Sequence, residues 1–238
     1  KNKKYDASLT MLEEFFVEAR QYDAAGATAP NPRLAALNGV FSGEQRLYLH
    51  ADYGKDIVEA VKFAERHGVQ KPVVVGGMNA AEVSDFLVEH DVPVIVSRIH
   101  ALPMRPEDDV DYAYRVPKVL HDAGVRVALD YSGDMEQMGA RNLPFLAGTA
   151  AAYGVDPEVA LQMVTLHPAE IMGVADRVGS LEAGKDATLV VSRGDLLDPR
   201  GNDVTHAFIG GRKVALTSKH VQLYEQYRAK YGQPAGSR

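Results

Sequence analysis

The chain has 238 residues, 46% of them hydrophobic and 24% charged, with a formal net charge of −6 and no cysteine. This composition suits a globular domain, contains no apolar run long enough to cross a bilayer as a helix, and argues against nucleic acid as a main partner, which needs a clustered basic face. The missing cysteines remove disulfides, thiolate metal ligands and cysteine nucleophiles together, and the one basic cluster, Lys1, Lys3 and Lys4, reads as a solvated chain end.

In chain order, the first element is an amphipathic helix over 7–23, with Leu9, Leu12, Phe16, Ala19 and Arg20 at helical spacings. It is expected to pack on the outside of a sheet, and a Gly/Ala/Pro loop through Asn31 and Pro32 follows it. Segment 46–50 reads as a strand and 56–66 as a helix stopped by Gly68. Strand 71–76 and helix 80–90 come next. Strands 93–97 and 125–130 follow, separated by a long loop and a helix over 113–123. The strands are nearly continuous in β-branched apolar residues, as strands buried on both faces are. Their alternation with helices predicts a parallel sheet with crossover helices.

Segments 142–153 and 156–164 read as consecutive helices, the second opened by Asp156, Pro157 and Glu158 as N-cap, first-turn proline and first-turn acid. Strands 187–192 and 204–209 follow, with Gly210-Gly211 as a two-residue hairpin turn into 212–215. A helix over 219–231 precedes a tail, 232–238, expected to be disordered. Four βα units cannot close a barrel, and an open half barrel leaves edge strands and apolar surface in water. Cover is expected from an N-terminal half, as a separate or missing chain, or from a homo-oligomer.

The most informative stretch is T-L-H-P-A-E-I-M-G-V at 165–174, followed by G-S-L-E-A-G-K-D-A-T-L-V-V at 179–191. Physically it is a helix ended at Gly173, turns at Gly179 and Gly184, and then an apolar strand. The ordered pair of motifs resembles the C-terminal signature of the amidohydrolase superfamily, in its imidazolonepropionase-like branch. That resemblance implies an α/β fold: the second half of a (β/α)8 TIM-type barrel, about four βα units, in 1–175. It implies strands of a small β-sandwich in 176–216, and a C-terminal helix and tail in 217–238. The family's His-x-His metal pair on the first barrel strand is absent, so the chain is expected to be the second half of a longer protein. The implied activity is hydrolysis of a non-peptide C–N bond, in a cyclic amide, amidine or related small molecule, by a water activated on a divalent metal, zinc foremost.

Chemistry in a (β/α) barrel sits at the C-terminal ends of the strands. There, His50 in Leu49-His50-Ala51-Asp52 resembles the fifth-strand metal ligand, and a neutral imidazole suits zinc. At the sixth strand, where the family places a histidine, stands Gly76-Gly77-Met78-Asn79. Asn79 is the nearest residue to occupy the vacated space, as a substrate contact or as a helix cap. Past the seventh strand, Arg98 and His100 are candidate substrate contacts, Arg98 through a planar fork suited to a carboxylate. Asp130 ends the eighth strand and takes the place of the family's acid, as metal ligand and as the base that passes a proton from water to the leaving nitrogen. Asp134 is its reserve.

His167 is expected to be structural. Thr188 replaces the acid usual in the signature, a change expected to affect a turn. The acidic run 107–111 is expected to be a solvated loop and helix start, not a calcium loop. The glycine pair and the irregular eighth-strand acid motivate an alternative: a catalytically silent amidohydrolase-like subunit kept for binding or assembly.

Overall fold

The computed structural model describes residues 4–26, 30–132 and 136–232. Lys1 and Lys3 of the basic cluster, the reserve acid Asp134 and the tail beyond Gly232 lie outside the described residues. The chain divides into two compact units, 1–180 and 181–238.

The first unit opens with helix α1 (Tyr5–Ala24), which buries Phe16 and Ala19. Four βα units follow, built on strands β1 (Leu47–Ala51), β2 (Pro72–Gly76), β3 (Val94–Ser97) and β4 (Val127–Asp130). All pairings are parallel, in the spatial order β1-β2-β3-β4. The crossovers are α2 (Gly54–Arg66), α3 (Ser84–Glu89) and α4 (Tyr112–Ala123), and α5 (Leu143–Ala152), α6 (Pro157–Gln162) and α7 (Leu166–Met172) complete the unit. Helix 80–90 is a departure from expectation: its first turn, Ala80–Val83, is a 3-10 turn, and the α-helix starts at Ser84. Pro157 is held in the first turn of α6 as expected, because the Asp156 carboxylate accepts the Glu158 and Val159 amides.

Side-chain alternation gives the sheet two distinct faces. Leu47 and Leu49 of β1 pack with Phe16, Val40, Phe63, Ala64 and Val69 beneath the helical layer. Tyr48 and His50 therefore point to the opposite, concave side. Register carries that side across the sheet through Val73, Val75, Ile95, Ser97, Ala128 and Asp130. The lower part of this inner face is filled, since Val73, Ala128 and Ile95 pack on Ile171 of α7. His50, Ser97 and Asp130 remain at its C-terminal rim.

The two edges of the sheet differ. The β4 edge is occupied by its own chain: the Leu129 amide donates to the Met163 carbonyl at 2.9 Å, and His167 Nδ1 bonds the Val127 carbonyl at 2.8 Å. His167 thus has the structural role its position suggested. The β1 edge pairs with β2 alone among the described residues. Beside it runs a groove of about 790 Å³ lined by Leu9, Leu12, Phe16, Leu47, Leu49 and Phe63.

The second unit holds an antiparallel sheet of β5 (Leu189–Ser192), β6 (Val204–Ile209) and β7 (Arg212–Lys213), and helix α8 (Lys219–Lys230). Thr188 Oγ1 accepts the Gly210 amide at 3.1 Å, so the residue standing in place of an acid does serve a turn.

Phe16 joins α1 to the rest of the first unit, its ring edge-on to Phe63 at 5.2 Å and to Phe41 at 6.3 Å. Phe16→Ala is expected to cost about 3–5 kcal/mol in urea unfolding, the usual range for emptying a buried aromatic site.

Candidate active site

The strand ends form a rim whose shape is set by the turn after β2. Backbone pairing between β1 and β2 continues past the sheet: the Gly77 amide donates to Ala51 O at 2.9 Å and the Asn79 amide to Asp52 O at 2.8 Å. The Asp52 carboxylate adds a bond from the Met78 amide at 3.4 Å. To make this turn, Gly76 and Gly77 adopt φ of +107° and +65°. A Cβ on Gly76 would lie 2.7 Å from Asp52 Oδ1, and one on Gly77 2.7 Å from Val94 Cγ1. The glycines are therefore required by the local packing, and a histidine has neither the conformation nor the room to stand there.

This turn decides the fate of Asn79. Its side chain is fully buried and donates through Nδ2 to Glu82 Oε1 at 3.4 Å. Glu82 in turn takes both arms of Arg105, at 2.7 and 3.2 Å. Asn79 thus belongs to the scaffold that ties the loop after β3 to the turn after β2. The acidic run of that loop is the solvated loop and helix start expected of it, with Asp109 and Asp111 both pairing with Arg115, at 2.5 and 3.1 Å, ahead of α4.

His100 lies on the same loop but turns toward the helices. Its Nε2 is 2.6 Å from Thr149 Oγ1 on α5, and its ring stands edge-on to Tyr114 of α4 at 6.1 Å. The Thr149 hydroxyl donates to Phe145 O at 3.0 Å, so the imidazole is the donor of the pair. Burial pulls its pKa below the ordinary 6.5. The loop places His100 away from the inner face that carries His50 and Asp130.

Arg98 and Asp130 stay on the rim. Ser97 and Asp130 are neighbours in register, and Ser97 Oγ donates to Asp130 Oδ2 at 3.3 Å. The Arg98 amide donates to Asp130 O at 2.9 Å, and its guanidinium lies over the Tyr131 ring, 5.7 Å from the centroid. His50 is exposed at the end of β1, on the same face as Asp130 but three inter-strand steps away, each ~4.8 Å along the sheet.

The profile of the amidohydrolase family matches residues 41–214, almost three quarters of the chain. The chain belongs to the amidohydrolase family. Among solved structures, an amidohydrolase from Thermotoga maritima MSB8 superimposes with a TM-score of 0.76 at 27% identity, over 87% of this chain and 55% of that one. Among curated relatives, the 5-methylthioadenosine/S-adenosylhomocysteine deaminase of Moorella thermoacetica is 28% identical over 89% of this chain and 58% of its own. The imidazolonepropionase of Erwinia tasmaniensis is 55% identical over 38 residues, 16% of this chain and 9% of its own. This amidohydrolase chain spans little more than half the length of its full-span relatives, and its parallel sheet is part of their barrel.

Amidohydrolases generally bind metal, so the donor set needs a test. A zinc site takes about four donors, and among the described residues no three His, Asp or Glu side chains come together to hold an ion. His50 and Asp130 stand at opposite ends of the sheet, and the sixth-strand place between them is the glycine turn. The donors among the described residues do not by themselves fit a metal ion.

Gly76→His is expected to lower stability by roughly 1–3 kcal/mol, the order of a strained backbone position, without gaining bound metal, as read by urea unfolding with elemental analysis. For His100, the lowered pKa means that its neutral form stabilises the fold. That contribution is complete above the ordinary imidazole value of about 6.5 and is lost as pH falls below it. An NMR titration should put the His100 midpoint below the ordinary imidazole value of about 6.5.

Proposed function

We propose that this chain supplies half of an amidohydrolase barrel that hydrolyses a non-peptide C–N bond, with Asp130 as the base. The observation that carries the reading is the position of Asp130: at the C-terminal end of β4, on the concave face, with one carboxylate oxygen held by Ser97. A carboxylate so placed can take the proton of an attacking water and return it to the departing nitrogen, and Ser97 fixes the orientation from which it does so. Family membership and the deaminase-named relative support C–N hydrolysis as the reaction class. The substrate on this reading is a small molecule with a cyclic amide, amidine or related group. Zinc or another divalent ion enters only with donors beyond those of the described residues, to which His50 and Asp130 would add theirs. An N-terminal half, separate or continuous, is the partner that the open β1 edge favours over a homo-oligomer.

The second reading, a silent binding or assembly subunit, is favoured by one observation, the Gly76-Gly77 turn that excludes the sixth-strand histidine.

Turnover of a panel of cyclic amides and amidines by the purified full chain with any co-purifying partner is the test. Asp130→Asn should lower kcat by about 10²–10⁴-fold with substrate binding retained, the usual size of a lost general base. Unchanged kcat would remove Asp130 from the role. Elemental analysis separates the two readings: stoichiometric metal lost on His50→Ala supports the hydrolase, and no metal after reconstitution with excess zinc supports the silent subunit.

A further inference from the structure

We propose that Arg98 and Tyr131 form a carboxylate clamp on the rim, so that the molecule bound there carries a carboxylate group. The inference rests on reading this rim as the substrate-binding face.

The backbone gives the first argument. Arg98 has φ +45°, and Asp91 is the one other non-glycine residue with positive φ among the described residues. An L side chain is strained in that region, while glycine is not. The reversal is needed locally: the Arg98 amide extends the β3–β4 pairing to Asp130 O, and the next residue, Ile99, is completely buried. Glycine would make the same reversal at no strain. The turn therefore accounts for the conformation and leaves the arginine head group to be explained.

The head group is displayed. Arg98 is exposed, and among the described residues it makes no ion pair, unlike Arg105 with Glu82 or Arg115 with Asp109. It is carried instead over the Tyr131 ring. That ring is itself seated against the backbone of Gly139, where any Cβ would collide with it. A guanidinium laid on a fixed aromatic plane keeps its fork of donors in one orientation, which suits bidentate capture of a planar anion.

The charge balance selects the anion. The clamp has one cation, and the Asp130 carboxylate ends the neighbouring strand, bonded to Ser97. A single negative charge is tolerated there, whereas a dianionic phosphate meets one cation and an adjacent acid. The carboxylate so held would lie beside Asp130 and fix the substrate's scissile bond relative to the proposed base.

Binding by the full chain, measured calorimetrically with N-acetyl-alanine and its uncharged amide, tests the clamp independently of turnover. The acid should bind at least tenfold more tightly than the amide. Arg98→Met should reduce that preference to within twofold, and Arg98→Lys should keep only part of it. Arg98→Gly separates the backbone from the head group: it should raise the melting temperature by relieving strain and still lose the preference. Equal binding of acid and amide, a preference that survives Arg98→Met, or tenfold tighter binding of the matching phosphonate would each overturn the proposal. A protein that prefers the acid but hydrolyses nothing would keep this inference and overturn the hydrolase reading. One that hydrolyses neutral and acidic substrates alike would do the reverse.

Discussion

Two backbone hydrogen bonds beyond the end of the sheet, Gly77 to Ala51 and Asn79 to Asp52, govern the rest of this rim. They require the chain to turn at φ values that only glycine adopts freely, and so they remove the side chain that would otherwise reach the centre of the barrel. They also draw Asn79 inward, where its amide meets Glu82. Through Glu82 and Arg105 the same stitch reaches the loop after β3, whose start carries Arg98. A position that reads as one lost ligand is, in three dimensions, a rebuilt corner.

The concave face shows a division of labour along its length. Near the N-terminal ends of the strands it is filled by Ile171 among Val73, Ile95 and Ala128, a packing contact with no chemistry in it. Near the C-terminal ends the side chains become His50, Ser97 and Asp130, and the residues after β3 and β4 add a guanidinium over an aromatic ring. This is the gradient expected of a (β/α) barrel, where stability is built at the bottom and reactivity at the top. Here it survives in half the circumference.

The strands were legible because their chemistry is one-sided in sequence. Valine-rich runs such as 73–75 and 94–96 have few alternatives to a buried parallel strand, and the signature around Gly179 and Gly184 points to the family from the sequence alone. Helix 80–90 was harder, since its first turn follows a corner whose geometry depends on Asp52, more than twenty residues earlier. The side chains of the candidate site split along the same line. Asp130 and His50 lie inside regular strands, so alternation tells which face they occupy. Asn79 and His100 lie in turns, where direction depends on contacts the sequence does not announce: Glu82 for one, Thr149 for the other. The strain at Arg98 leaves no mark in sequence, because arginine carries no signal for positive φ.

The unlike edges of the parallel sheet set a limit on how copies of this unit can join through their strands. A head-to-tail filament needs two receptive edges of opposite hand on every subunit. At β4, the Met163 carbonyl and the His167 ring hold backbone groups that an incoming strand would have to take over, while β1 has no such guard among the described residues. Addition of a strand at β4 thereby costs two existing bonds that addition at β1 does not.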